Sequence, residues 1–83
     1  MVMYYVYVLR SSLSGKLYKG STGNLKERLR LHNLGLVKST KSDRPWNLIY
    51  YEGHRNKTLA LRSEVFYKSS QGRRQIKKKL GLT

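Results

Sequence analysis

Tyr7, Tyr18, Arg28 and Glu64 stand out because together they meet the needs of phosphodiester hydrolysis. That reaction requires a route for a proton to leave water, a cation for the charge developing on phosphorus, and help for the departing oxygen. A tyrosine can accept or donate a proton if its surroundings bring its pKa down from about 10. Arginine stays charged and grips two phosphate oxygens through its planar fork. A single glutamate can hold Mg2+, which polarises a phosphate oxygen or stabilises the leaving alkoxide. Acids are scarce: Glu27, Asp43, Glu52 and Glu64 are the whole set, so any metal mechanism recruits from these four. There is no cysteine, and His32 and His54 are the only histidines. That excludes disulfides and thiolate metal sites and leaves too few ligands for a side-chain zinc site.

Each of these residues also has a plainer reading. Tyr7 and Tyr18 can be ordinary sheet residues, as tyrosine favours strands; Tyr4, Tyr5, Tyr50 and Tyr51 are read that way, with base stacking open to any that are exposed. Arg28 can be one more solvated helix charge, and His32 a hydrogen-bonded core histidine. Glu64 follows Ala60 and Leu61 at helical spacing, so it shares an apolar face. A carboxylate there needs a cation, which a neighbouring Arg or Lys could equally supply.

The elements that must position these side chains can be read in turn. Residues 2–10 (VMYYVYVLR) have the aromatic and β-branched composition of a central strand. Ser11–Gly15 supplies a turn, and 16–21 (KLYKGS) returns as the second strand of a hairpin. Asn24 reads as a helix N-cap, with Glu27 completing a capping box. That helix should run to about Asn33 and stop near Gly35, with Leu25, Leu29 and His32 on one face and Arg28 on its flank. Residues 36–46 form a polar, basic connection, extended into Trp46 because Pro45 disfavours helix at Arg44. Residues 47–52 form a third strand. A second helix starts after Asn56 and covers Leu59 to Lys68. After a turn at Ser69–Gly72, a short basic helix carries Ile76 and Leu80 as apolar contacts. The expectation is an α/β (α+β) fold: one small three-stranded, mostly antiparallel sheet flanked by helices, in the order β-β-α-β-α-α, as a single domain over residues 1–83.

This layout makes one sharp demand. Side chains alternate between the faces of a strand, and opposed residues share a face. If Leu9 lies opposite Tyr18, then Tyr7 lies opposite Gly20, and the two tyrosines are diagonal neighbours with Gly20 leaving space beside Tyr7. A slip of one residue would separate them.

Eighteen Lys and Arg against four acids give a net charge of +14 on 83 residues. Such a field concentrates polyanions, and contacts to phosphates release condensed counterions. Arg73, Arg74, Lys77, Lys78 and Lys79 read as a backbone-binding surface, which Lys38, Lys41 and Arg44 extend. Nucleic acid is therefore the favoured partner. No apolar run approaches the roughly 20 residues of a membrane span, and no signal peptide is visible. A cytoplasmic protein is the simple reading.

Tyr5-Val6-Tyr7 followed by Tyr18-Lys19-Gly20 resembles the paired signature of the GIY-YIG nuclease superfamily. The resemblance continues through Asn24-Leu25-Lys26-Glu27-Arg28-Leu29, Arg44-Pro45-Trp46 and Ala60-Leu61-Arg62-Ser63-Glu64. It covers nearly the whole chain and is nearest to small, free-standing bacterial members. It implies a three-stranded sheet with helices and a one-metal hydrolytic mechanism. In it Tyr7 and Tyr18 match the motif tyrosines, Arg28 the helix arginine, His32 a position often held by His or Tyr, and Glu64 the metal-binding glutamate. Lys19 stands where an apolar residue is usual, and Ser21 where excision-repair relatives carry lysine. The resulting expectation is a DNA endonuclease using one Mg2+ or Mn2+ ion. Tyr7 is preferred over Tyr18 as the base, Arg28 stabilises the phosphorane, His32 assists proton transfer or positioning, and Glu64 holds the metal. A noncatalytic DNA- or RNA-binding module of the same fold is the alternative, and a protein partner supplying specificity fits either.

Overall fold

The structure, a computed structural model, describes residues 2–82; Met1 and Thr83 of the expected 1–83 span lie outside the described residues. Strands β1 (Tyr4–Ser11) and β2 (Leu17–Thr22) form a hairpin. Helix α1 (Leu25–Asn33), a 3-10 turn (Lys41–Asp43), β3 (Trp46–His54), α2 (Lys57–Lys68) and α3 (Ser70–Lys79) follow. The sheet is ordered β2-β1-β3 with both pairings antiparallel. This is the expected α/β arrangement in the expected β-β-α-β-α-α order.

The sheet is covered on both sides, which is why β1 reads as a nearly unbroken apolar run; Val6 to Leu9 are all buried. Tyr7 and Leu9 face α1, with buried Trp46 and half-buried Tyr18, Leu25, Leu29 and Leu48. Val6 and Val8 face the other way, against Ala60 and Tyr67 of α2 and Ile76 of α3. The β1–β3 register shifts between Val8, opposite Tyr50, and Leu9, opposite Leu48. The extra residue, Ile49, packs together with Tyr50 on the α2–α3 side.

Helix boundaries follow local chemistry. The Asn24 side chain accepts from the Glu27 N–H at 3.1 Å. The expected capping box is only half formed, because the Asn24 N–H donates to Thr22 Oγ1 (3.1 Å) while the Glu27 carboxylate turns to Arg30 (2.7 Å). At the other end of α1, Gly35 adopts φ +79°. The Gly35 N–H bonds His32 O and the Leu36 N–H bonds Leu31 O, a Schellman closure that needs a left-handed residue. Arg44 is extended (φ −64°, ψ 150°) ahead of Pro45. Strand β3 is longer than the 47–52 expected, since β1 is long enough to pair from Trp46 out to His54.

The late turn is also redrawn. Ser69 caps α3 by accepting from the Gly72 N–H (3.1 Å), so the helix begins at Ser70 and takes in the glycine assigned to a turn. Gly72 is there for close approach: a Cβ would lie 1.8 Å from the Phe66 carbonyl oxygen.

Under α2, Glu52 forms a polar knot that sequence reasoning missed. Its carboxylate accepts from Tyr50 and Tyr67 hydroxyls (both 2.6 Å), from Ser63 (2.5 Å) and from His54 Nε2 (2.7 Å). Burial by itself would raise its pKa, but these donors outweigh it and hold the group down at about 2. Tyr50, Glu52 and His54 alternate along one strand and could have signalled a shared face; Ser63 and Tyr67 join only through packing. Tyr51, read as a sheet-packing residue, is 56% exposed.

Gly72→Ala should lower stability by about 3 kcal/mol or more, because backbone rather than a side chain must give way. Chemical denaturation checks this; an unchanged midpoint would refute the close α2–α3 contact.

Candidate active site

The register places Tyr7 opposite Gly20 and Leu9 opposite Tyr18, the pairing that the site demands. The two tyrosine rings are 6.3 Å apart on the α1 face. A Cβ on Gly20 would fall 2.6 Å from the Tyr7 hydroxyl, so only glycine leaves that phenol its place.

Helix α1 brings Arg28 and His32, one turn apart, over the tyrosines. His32 is fully buried; its Nε2 lies 2.9 Å from the Tyr7 hydroxyl and its Nδ1 2.7 Å from Thr40 Oγ1. Thr40 donates its own proton to the Val37 carbonyl (3.3 Å). The Thr40 oxygen therefore accepts from Nδ1–H, leaving the bare Nε2 to accept from Tyr7. Burial, and then the charge of Arg28, depress the His32 pKa to about 4, so the ring is neutral at pH 7. Arg28 Nε donates to the Tyr7 oxygen across a long 3.4 Å. Burial raises the Tyr7 pKa, with the Arg28 hydrogen bond opposing and the charges of Tyr18 and Glu64 adding, so Tyr7 rests as a phenol. Tyr18 is half-buried, with its ring 4.9 Å from His32 and 6.3 Å from Trp46.

Thr40 is the residue that sequence reading missed here. It is fully buried and also accepts from Trp46 Nε1 through its carbonyl (2.8 Å). Asn33 clamps the Trp46 backbone by accepting from its N–H (2.7 Å) and donating to its carbonyl (3.0 Å). Nothing in the 36–46 segment marks Thr40 above Ser39 or Ser42.

Glu64 reaches the same stretch of β2 from the opposite sheet face. Its Oε1 accepts from Ser21 (2.6 Å), the residue next to Gly20, and its Oε2 from Lys68 (2.7 Å). Burial pushes its pKa up, but the Lys68 and Ser21 hydrogen bonds prevail and keep it below the usual range. The plainer reading, an ion pair with lysine, is thus what the side chain makes. Tyr7, Tyr18, Arg28 and His32 form one cluster, while Glu64 is joined to it by charge and through β2.

The basic residues divide into two groups. Lys38, Lys41 and Arg44 are exposed on the α1 side, where Arg44 Nε donates to the Lys41 carbonyl (2.9 Å). Arg73, Arg74, Lys77, Lys78 and Lys79 are exposed on α3, which packs on the other face of the sheet. Lys79 is already engaged, donating to the Tyr50 hydroxyl at 3.2 Å.

In Gly20→Ala the Tyr7 ring is displaced, the bond to His32 is lost and stability falls by roughly 1–3 kcal/mol; thermal melts and the His32 NMR shifts read both effects. For His32, the unfolded chain takes up a proton near pH 6.5 and the folded chain only near 4. Its contribution to stability is full above about pH 6.5 and is lost as pH falls toward 4. Glu52 adds a lower window, full above its ordinary 4.5 and lost toward 2. Melting temperature should fall between pH 6.5 and 4, and His32→Gln should flatten that segment; an equal slope in the variant would refute it.

The model of the GIY-YIG catalytic domain matches residues 3–79. A UPF0213 protein of Streptococcus agalactiae is 42% identical over 74 residues, covering 88% of this chain and 81% of its own. One from Staphylococcus haemolyticus is 35% identical, covering 93% and 94%. The solution structure of a UPF0213 protein from Bacillus halodurans aligns with a TM-score of 0.55 at 28% identity, over 89% of this chain and 81% of that one. With this coverage, and the motif tyrosines meeting on one sheet face, the chain belongs to the GIY-YIG family.

Proposed function

We propose that this protein is a metal-dependent endonuclease that hydrolyses DNA phosphodiester bonds. The observation that carries the reading is the buried relay Tyr7–His32–Thr40, in which the Tyr7 hydroxyl, flanked by Arg28, faces an unprotonated imidazole nitrogen. The long Arg28–Tyr7 hydrogen bond is readily exchanged for a bidentate grip on a phosphate. Once the guanidinium moves to the phosphate, a lone pair of the Tyr7 oxygen is free to receive water. The water proton passes to the Tyr7 oxygen as the Tyr7 proton passes to His32 Nε2, and the resulting hydroxide attacks phosphorus. The phosphate charge near Arg28 offsets part of the repulsion that lowers the His32 pKa. Tyr18, half-buried with its ring against His32, holds the imidazole in place and orients the substrate.

A hard divalent cation fits Glu64. The carboxylate is ionised and half-buried, and a half-exposed lysine ammonium already occupies its outer oxygen as a replaceable cation. Among the described residues no group of three or more His, Cys, Asp and Glu comes together, so the fit is to an ion that keeps most of its water, as Mg2+ or Mn2+ does. Held by Glu64, the ion would supply positive charge to the phosphate and the leaving alkoxide. No described helix is long and apolar enough to cross a membrane.

The test is cleavage of nicked, branched, single-stranded and duplex DNAs with Mg2+, with Mn2+ and with EDTA. Tyr7→Phe should lower kcat by about 10²–10⁴, and Glu64→Ala should abolish metal-dependent cleavage with binding retained. Unimpaired cleavage by Glu64→Ala would overturn the metal assignment. Salt-sensitive binding with no cleavage in any lane would favour a noncatalytic binding module.

A further inference from the structure

Lys19 interrupts a motif position that is usually apolar, and the proposed chemistry does not use it. It stands on β2 between Tyr18 and Gly20, so its side chain lies on the sheet face away from the tyrosines. There it is half-buried in the wall of a recess of about 350 Å³ lined by Gly15, Lys16, Leu17, Lys19, Arg73 and Lys77. Four of these six residues are cationic and none is acidic. Burial, and then the charges of Arg73, Lys77 and Lys68, lower the Lys19 pKa. A leucine here would avoid both the desolvation and the repulsion.

Among the described residues no carboxylate pairs with the four cations that line the recess. Glu27 is taken by Arg30, Glu64 by Lys68 and Ser21, and Glu52 by its own knot of donors. No described ion pair involves Lys16, Lys19, Arg73 or Lys77. A cationic recess without an internal counter-charge is what an external polyanion would complete.

The recess also has a direction. β2 is an edge strand. Ser21, two residues beyond Lys19 on the same face and about 7 Å along the strand, donates to Glu64. Lys68, whose charge acts on Lys19, pairs with that same Glu64. Lys16, Lys19, Arg73 and Lys77 thus share the recess, and Lys68, which acts on Lys19, links it to Glu64.

We propose that this recess behind β2 binds backbone phosphates of the same nucleic acid whose scissile bond lies at Tyr7 and Glu64, so that the strand wraps over the β2 edge. The proposal rests on the nuclease reading for the position of the scissile bond, but it concerns binding and can fail separately. Lys19 exchanges intrinsic stability for a phosphate contact beside the reacting centre, which accounts for a lysine where an apolar side chain would pack more easily.

The test is the salt dependence of DNA binding by wild type, Lys19→Leu and Lys77→Gln, with Lys57→Gln at the far end of α2 as a charge-matched control. Each recess variant should lose about 1 from the slope of log K against log salt, and the control should lose little. Lys19→Leu should melt at or above the wild-type temperature, which separates lost contact from misfolding. Wild-type slopes in both recess variants would overturn the recess and leave the nuclease reading standing. Absence of nucleic-acid binding by the wild type would remove that reading as well. Lost binding to phosphatidylserine vesicles with unchanged DNA binding would assign the recess to lipid headgroups and overturn the proposal.

Discussion

The hydrogen bond between the Tyr7 hydroxyl and His32 Nε2 joins the central strand to α1, with both groups shielded from solvent in the resting fold. Tyr7 is 2% exposed and His32 not at all. A buried donor or acceptor left unpaired costs about 1–3 kcal/mol, so the bond holds both rings in one arrangement. Its reach is longer than one contact. Thr40 takes the other imidazole nitrogen and the Trp46 indole, and Asn33 fastens the Trp46 backbone. The connection between α1 and β3, which has no apolar stripe of its own, is thereby anchored to the residues that the proposed chemistry uses.

A second constraint comes from β2, which works on both of its faces. Gly20 leaves space for the Tyr7 hydroxyl on one side, while the next residue, Ser21, holds the Glu64 carboxylate on the other. The tyrosine cluster and the carboxylate are therefore held by adjacent residues of an edge strand, which the proposed chemistry requires a substrate strand to cross. An interior strand would keep them apart on opposite sides of a closed layer.

Charge organises what remains. With four acids against eighteen basic residues, carboxylates serve as local anchors, and three of them hold defined partners. Glu52 shows the strength of such an anchor: four donors from β3 and α2 overcome its burial and keep it ionised to about pH 2. The unmatched cations are left to face a polyanion.

The sequence by itself determined the element order and the hairpin, because strand composition, caps and turn glycines are local rules acting over a few residues; it posed the register that sets Tyr7 opposite Gly20 only as a condition, which the folded sheet meets. It also carried the family motifs that single out Tyr7, Tyr18, Arg28, His32 and Glu64. Gly72 shows the limit of local rules: a glycine between polar residues reads as a turn, yet it lies within α3 because the Phe66 carbonyl leaves no room for a Cβ. Thr40, Ser21, the Glu52 knot and the recess at Lys19 were decided only by tertiary structure. Each depends on side chains far apart in the chain meeting in a low-dielectric interior, where an unpaired polar group or an unmatched charge is costly. Spacing along one strand hints at Tyr50, Glu52 and His54, but nothing in residue type or spacing marks the partners that other elements bring.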